Sequence, residues 1–172
     1  MIELDKALEL LINKLEYDNK LDDTVIVLLA DHYPYGLTLN QINEISSYQR
    51  DELFEINHNS LIIWNNKMET KEINKVGMPI DVIPTVYNLF GIKFDSRIFA
   101  GTDLLSDKDG LVILGNRSWI TEKGKYNSTN NTFSGNYDKE YIDYKNNNIQ
   151  DKIAFSKGMF NYNGYKYIKE NN

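Results

Sequence analysis

Asp31 and His32 are adjacent at the end of the apolar run TVIVLLA, residues 24–30, and His32 is one of only two histidines in the chain. A carboxylate beside a neutral imidazole is a partial ligand set for Mn²⁺ or Zn²⁺, whereas Ca²⁺ prefers oxygen donors alone. Neighbouring residues on an extended strand point to opposite faces, so one ion meets both side chains only where the backbone turns. Pro34 and Gly36 supply such a turn. The dipeptide also suits a plainer use, an aspartate forming a turn after a strand and a histidine satisfying a backbone carbonyl. Two donors do not complete a metal site, and the other ligands have to come from elsewhere.

The elements that position this pair are readable from pattern. Leu4, Ala7, Leu8, Leu11, Ile12 and Leu15 recur at helical spacing, with Glu9, Asn13, Lys14 and Glu16 on the other side, which predicts an amphipathic helix over residues 3–17. The run TVIVLLA is β-branched, short and without alternation, as in a strand buried on both faces of a parallel sheet. Ligands of open α/β sheets gather outside the carboxyl ends of such strands, where Asp31 and His32 fall. A weak helical segment is expected around residues 41–48, and SLIIW, residues 60–64, reads as a second short buried strand. A helix is expected to start at Val82, with Asp81 as N-cap, Pro84 in the first turn, Gly91 at C′ and Ile83, Val86, Tyr87 and Phe90 facing inward.

Beyond residue 108 the character changes. GLVILGN, RSWIT and KGKYNS are spaced like an antiparallel meander, residues 127–148 read as loop or sheet edge, and a last helix is expected over residues 149–160 with Ile149, Ile153 and Phe160 inward. The expected division is 1–108, the C-terminal part of an α/β catalytic domain, and 109–172, a small antiparallel sheet with a C-terminal helix.

The 172 residues carry a net charge of −6, with lysines scattered among acids and asparagines, which argues against a nucleic-acid partner. The absence of cysteine excludes disulfides, thiolate nucleophiles and thiolate zinc sites. No window approaches the roughly 18 consecutive apolar residues of a membrane span. The first residues, MIELDKALELL, are acidic where a secretory leader is basic. The chain is therefore expected to be soluble as given.

Three stretches in order, LDDTVIVLLADHY, NSLIIWN and PIDVIPTVYNLFGI, resemble the C-terminal half of the alkaline phosphatase and sulfatase superfamily. Within it the chain looks most like the lipoteichoic acid synthase-like phosphoglycerol transferases of Gram-positive bacteria. The resemblance runs from the first helix to about Thr121. It implies the C-terminal part of an alkaline-phosphatase-like fold: parallel strands flanked by helices, plus a small antiparallel sheet and a C-terminal helix.

The same resemblance implies that Asp31 and His32 bind the catalytic divalent cation, with Mn²⁺ preferred and Zn²⁺, Mg²⁺ or Ca²⁺ as alternatives. It places Tyr33 against the substrate, where a packing tyrosine at a turn is the other reading. His58 lies where many relatives place a Lys or His on the phosphate or sulfate, and an exposed loop histidine is its other reading. Asp81 matches the family's DxxPT segment, but its position before Pro84 accounts for it structurally. The chain departs from the family's Asp-His-Tyr-Gly by reading DHYPYG, and no position matches the threonine nucleophile or the other acidic ligand upstream of it.

The expectation is thus a C-terminal fragment of a metal-dependent transferase that is inactive alone. The full enzyme would act on phosphatidylglycerol or a polyglycerophosphate-type substrate at the extracellular face of the cell membrane. Exposed strand edges imply a homodimer or swapped assembly of the chain. Sulfatase activity stays as the alternative chemistry, and a non-catalytic module contacting cell-wall polymer or a partner as the alternative class.

Overall fold

Apolar residues recurring at three- and four-residue spacing wind the first segment into helix α1, Ile2–Tyr17. In the computed structural model, which describes residues 2–170, Leu8, Ile12 and Leu15 form its half-buried stripe. Leu4 and Leu11, expected on the same face, are exposed. Two compact units are present, Met1–Glu72 and Ile73–Asn172.

In the first unit β1, Ile26–Leu28, pairs with β2, Ile62–Trp64, in the register Ile26 opposite Trp64 and Leu28 opposite Ile62. This corrects one expectation. The apolar run TVIVLLA is expected in a parallel sheet, but β1 and β2 run antiparallel to each other. Direction is set by how the long connection returns, which the apolar content of each strand does not encode. Polar side chains lock the pair at one end: the Asn65 amide donates to the carbonyls of Asp22 at 3.0 Å and Thr24 at 2.8 Å. Between the strands lies α2, Leu39–Ile45, started by a capping box in which Thr38 and Gln41 satisfy each other's backbone N–H.

The second unit opens with a 3₁₀ turn, Pro79–Asp81, that runs into α3, Val82–Leu89. Its end follows the sequence signal closely. Gly91 adopts φ +63°, its N–H reaches the Asn88 carbonyl at 3.0 Å, and the Ile92 N–H reaches the Tyr87 carbonyl at 2.9 Å, a Schellman arrangement. Its start does not. The Asp81 side chain makes no cap bond to α3. Because the 3₁₀ turn precedes the helix directly, the carboxylate points back, accepting from Met78 N at 2.9 Å and Thr102 N at 2.6 Å. The buried face is also shifted: Pro84 and Thr85 are buried, while Ile83 and Phe90 are about half exposed.

A four-stranded antiparallel meander follows in the order β3, Val112–Ile113; β4, Trp119–Thr121; β5, Gly124–Asn127; β6, Thr132–Gly135. Helix α4, Lys139–Asn161, packs on it and is ten residues longer at its start than the expected 149–160. Asp138 caps it by accepting from Tyr141 N at 2.9 Å. Trp119, Tyr126 and Ile149 form the core, with Phe133, Tyr141 and Ile153 against them. Phe160, expected inward, is exposed, and the buried place belongs to Met159. A short α5, Gly164–Glu170, closes the described chain. No helix among the described residues is long and apolar enough to cross a membrane.

Candidate functional site

The chain leaves β1 at Leu28 and enters a bend over Asp31 and His32. Pro34 has no N–H to extend a ladder, and the backbone folds into a turn closed by the Leu37 N–H on the Pro34 carbonyl at 3.0 Å. Gly36 sits inside that turn with no atom near the place a Cβ would occupy. The turn returns Tyr35 onto His32, so that the two rings stack 4.1 Å apart and only 5° from parallel. Tyr33, half-buried, meets the Tyr35 ring edge-on at 4.8 Å.

This bend gives His32 a defined orientation. Its Nδ1 lies 2.6 Å from the Tyr33 carbonyl oxygen. A carbonyl only accepts, so Nδ1 carries the proton and Nε2 is left with a free lone pair. Nε2 stands 3.6 Å from Asp31 Oδ1, beyond a hydrogen bond, and the Asp31 carboxylate is 88% exposed.

That spacing fits a shared cation. With donor-to-metal distances near 2.0–2.2 Å, two neighbouring ligands in a tetrahedral or octahedral shell lie roughly 3.0–3.6 Å apart. A ligating histidine usually donates its other ring N–H to a carbonyl or carboxylate, as His32 does to Tyr33. The set is partial: among the described residues no group of three or more His, Cys, Asp or Glu converges as a metal site.

His58 belongs to a separate polar cluster in the loop before β2. Its Nδ1 meets the Tyr48 hydroxyl in a short contact and Glu55 Oε2 at 3.2 Å, and its carbonyl takes a short bond from Arg50 Nη1. Arg50 also donates to the Glu55 carbonyl at 3.1 Å and lies over the Tyr48 ring at 5.0 Å. None of these contacts uses His58 Nε2, and the side chain is 61% exposed. Sequence reasoning named His58 but not the residues that hold it. It also missed Tyr35, whose only signal is its place between Pro34 and Gly36 in a turn that must double back.

The chain is mixed α/β, with an Asp-His pair in the bend that follows β1. The Sulfatase family model matches residues 1–92, more than half of the chain. The chain belongs to the sulfatase family. Among curated proteins it is 31% identical to lipoteichoic acid synthase of Staphylococcus saprophyticus over 72% of its own length and 20% of that protein. It is 28% identical to lipoteichoic acid synthase 2 of Bacillus subtilis over 73% of its length and 21% of that protein. With lipoteichoic acid synthase of Staphylococcus aureus USA300 the identity is 26%, over 96% of this chain and 27% of that protein. The chain thus spans between a fifth and about a quarter of the relatives it matches.

Proposed function

We propose that this chain supplies the C-terminal part of a phosphoglycerol transferase of the lipoteichoic acid synthase kind, and that Asp31 and His32 hold its divalent cation. The observation that carries the reading is the His32 ring: Nδ1 is committed to the Tyr33 carbonyl, and Nε2 faces an exposed carboxylate oxygen at 3.6 Å. The relatives bearing the name lipoteichoic acid synthase support the reaction class. An imidazole in the donor set favours Mn²⁺ or Zn²⁺ over Ca²⁺, which in turn favours phosphoryl over sulfuryl transfer.

Bound there, the cation would acidify an attacking hydroxyl and neutralise charge on a phosphoryl group. The residues of this chain have narrower tasks. Asp31 offers a carboxylate with nothing competing for it, Tyr33 holds the His32 tautomer through its carbonyl, and Tyr35 fixes the ring plane by stacking. His58 keeps Nε2 for an anionic oxygen of the substrate, its ring steadied by Tyr48 and Glu55. The attacking threonine and the remaining acidic ligand of the family would come from outside the matched positions. In this reading residues 1–108 complete the catalytic domain, residues 109–172 form its appended sheet and helix, and the whole enzyme works on glycerophosphate lipid at the outer face of the membrane.

Titration of the 172-residue chain with Mn²⁺, followed by paramagnetic broadening of backbone amides, tests the proposal. Broadening centred on residues 30–36, saturating at low affinity and abolished by Asp31→Ala, is the expected result. A chain that shows none, or broadens equally after that substitution, contradicts it.

A further inference from the structure

Within the Ile73–Asn172 unit, one face of α4 and the loop around residues 100–110 enclose an open cleft of about 320 Å³. Four lysines line it, Lys75, Lys108, Lys145 and Lys152, and no arginine does. Three aspartates, Asp81, Asp103 and Asp109, line it as well.

Lys145 is the informative member. Its side chain is only 11% exposed, and the nearest carboxylate oxygen, Asp109 Oδ2, is 4.0 Å away, too far for a hydrogen bond. The Tyr141 and Tyr144 rings flank the ammonium at 5.4 and 5.8 Å. Lys145 lines the cleft, and because no fully buried side-chain nitrogen among the described residues lacks a partner, its ammonium keeps some exposure. A nearly buried cation held by aromatic faces and a loose ion pair is poorly compensated, so it favours an anion that approaches closely.

The other lysines are held to the same cavity. Lys152 Nζ donates to the Ala100 carbonyl at 3.2 Å, and Lys75 Nζ makes a short bond to the Ser106 carbonyl. Each ammonium keeps further N–H donors, and Lys108 is exposed. The acids at the cleft are mostly engaged. Both Asp81 oxygens accept backbone N–H groups, and Asp103 accepts from Asn88 Nδ2 at 2.8 Å and Leu105 N at 2.9 Å. Only Asp109, 62% exposed, is loosely placed, and it competes for Lys145.

We propose that this cleft binds a phosphate group. Lysines act as point charges arriving from several directions, which suits a tetrahedral, multiply charged oxyanion. The phosphate belongs either to a small phosphate ester or to one unit of a phosphodiester polymer, and both fit a cavity open to solvent. The inference does not rest on the metal site or on the reaction proposed above.

The test is a ¹H–¹⁵N titration of the 172-residue chain with inorganic phosphate, glycerol phosphate and a short glycerol phosphodiester oligomer, with acetate as control. Saturable shifts at Lys145, Lys152 and Asp109 are expected with the phosphates and not with acetate. Tighter binding of the oligomer assigns the cleft to a polymer, and equal binding assigns it to free esters. Lys145→Gln should weaken binding about tenfold or more, as for a lost hydrogen bond to a charged group. Exposed Lys108→Gln, which spares the fold, should weaken it a few-fold. Asp109→Asn should act in the opposite sense and tighten binding, because it removes the competing carboxylate. Absence of saturable shifts, affinity unchanged by both lysine substitutions, or acetate binding as well as phosphate would overturn the proposal.

Discussion

The Trp119 indole N–H donates to Asn146 Oδ1 at 2.9 Å, joining the centre of the meander to the middle of α4. Trp119 is fully buried, so this one bond removes the polar cost of placing an indole at the centre of an apolar cluster. Asn146→Leu leaves the N–H without an acceptor and is expected to cost about 1–3 kcal/mol, read from the denaturant midpoint. Asn146→Asp keeps an acceptor and should cost less. A double variant with Trp119→Phe should recover part of the Asn146→Leu loss, because the orphaned donor is gone.

Asp81 joins two loops that α3 alone would not hold. Asp81→Ala frees the N–H groups of Met78 and Thr102, and since both are only partly buried the expected loss is about 1–2 kcal/mol for each. Gly101 tests the same joint from the other side. A Cβ there would stand 2.0 Å from the Ile80 carbonyl oxygen, so Gly101→Ala must displace backbone and should destabilise at least as much. Chemical denaturation of the two variants checks both statements. An Asp81→Ala chain as stable as the parent would show that the carboxylate is dispensable.

What the sequence disclosed follows from the range of each signal. The end of α3 was legible because Gly91 marks a local backbone requirement, a positive φ that the two residues before it cannot meet as easily. The direction in which β1 meets β2 was not, because the register joins residues more than thirty positions apart and each strand is simply apolar. The first half of α4 was hidden by composition: residues 139–148 are polar and asparagine-rich, although the Asp138 cap was available as a start signal. Phe160 and Met159 exchanged roles through a shift of one residue in helical phase. At the candidate site the adjacency of Asp31 and His32 was visible, but the turn that stacks Tyr35 on His32 depends on how DHYPYG folds back. Lys145 looked like any surface lysine, since nothing local announces that Tyr141 and Tyr144 flank it.

Acid should loosen the first unit through Asp22. Its carboxylate accepts from Asn66 Nδ2 at 2.8 Å and pairs with Lys67 Nζ at 3.0 Å, and these contacts, the Asn66 bond foremost, hold its pKa below the ordinary 3.8. A depressed folded pKa contributes stability above the unfolded value, and that contribution disappears as the pH falls through the folded one. Stability should therefore drop on acidification below about pH 4, and Asp22→Asn should remove that part of the dependence. Denaturation midpoints between neutral pH and pH 3, compared for the two chains, give the answer, and the difference should shrink at high salt because the pair is solvent-exposed.

The tautomer of His32 decides whether the pair at the strand end can serve a cation at all. If the Tyr33 carbonyl holds a proton on Nδ1, the imidazole ¹⁵N shifts of the metal-free chain at pH 8 should show Nε2 unprotonated. The opposite tautomer would put a proton where the metal has to bind, and the proposed ligand set would fail on that measurement alone. Tyr35 supplies the second half of the argument, because a ring stacked at 4.1 Å and 5° limits how far the imidazole rotates away from Asp31. Tyr35→Phe preserves the stack and should leave Mn²⁺ affinity unchanged. Tyr35→Ala removes it and should weaken binding by about tenfold, the lower end of what supporting residues around a metal contribute. A tyrosine that merely fills space at a turn would show the same loss of stability in the alanine variant, but no change in the His32 ¹⁵N shifts or in the affinity for the ion.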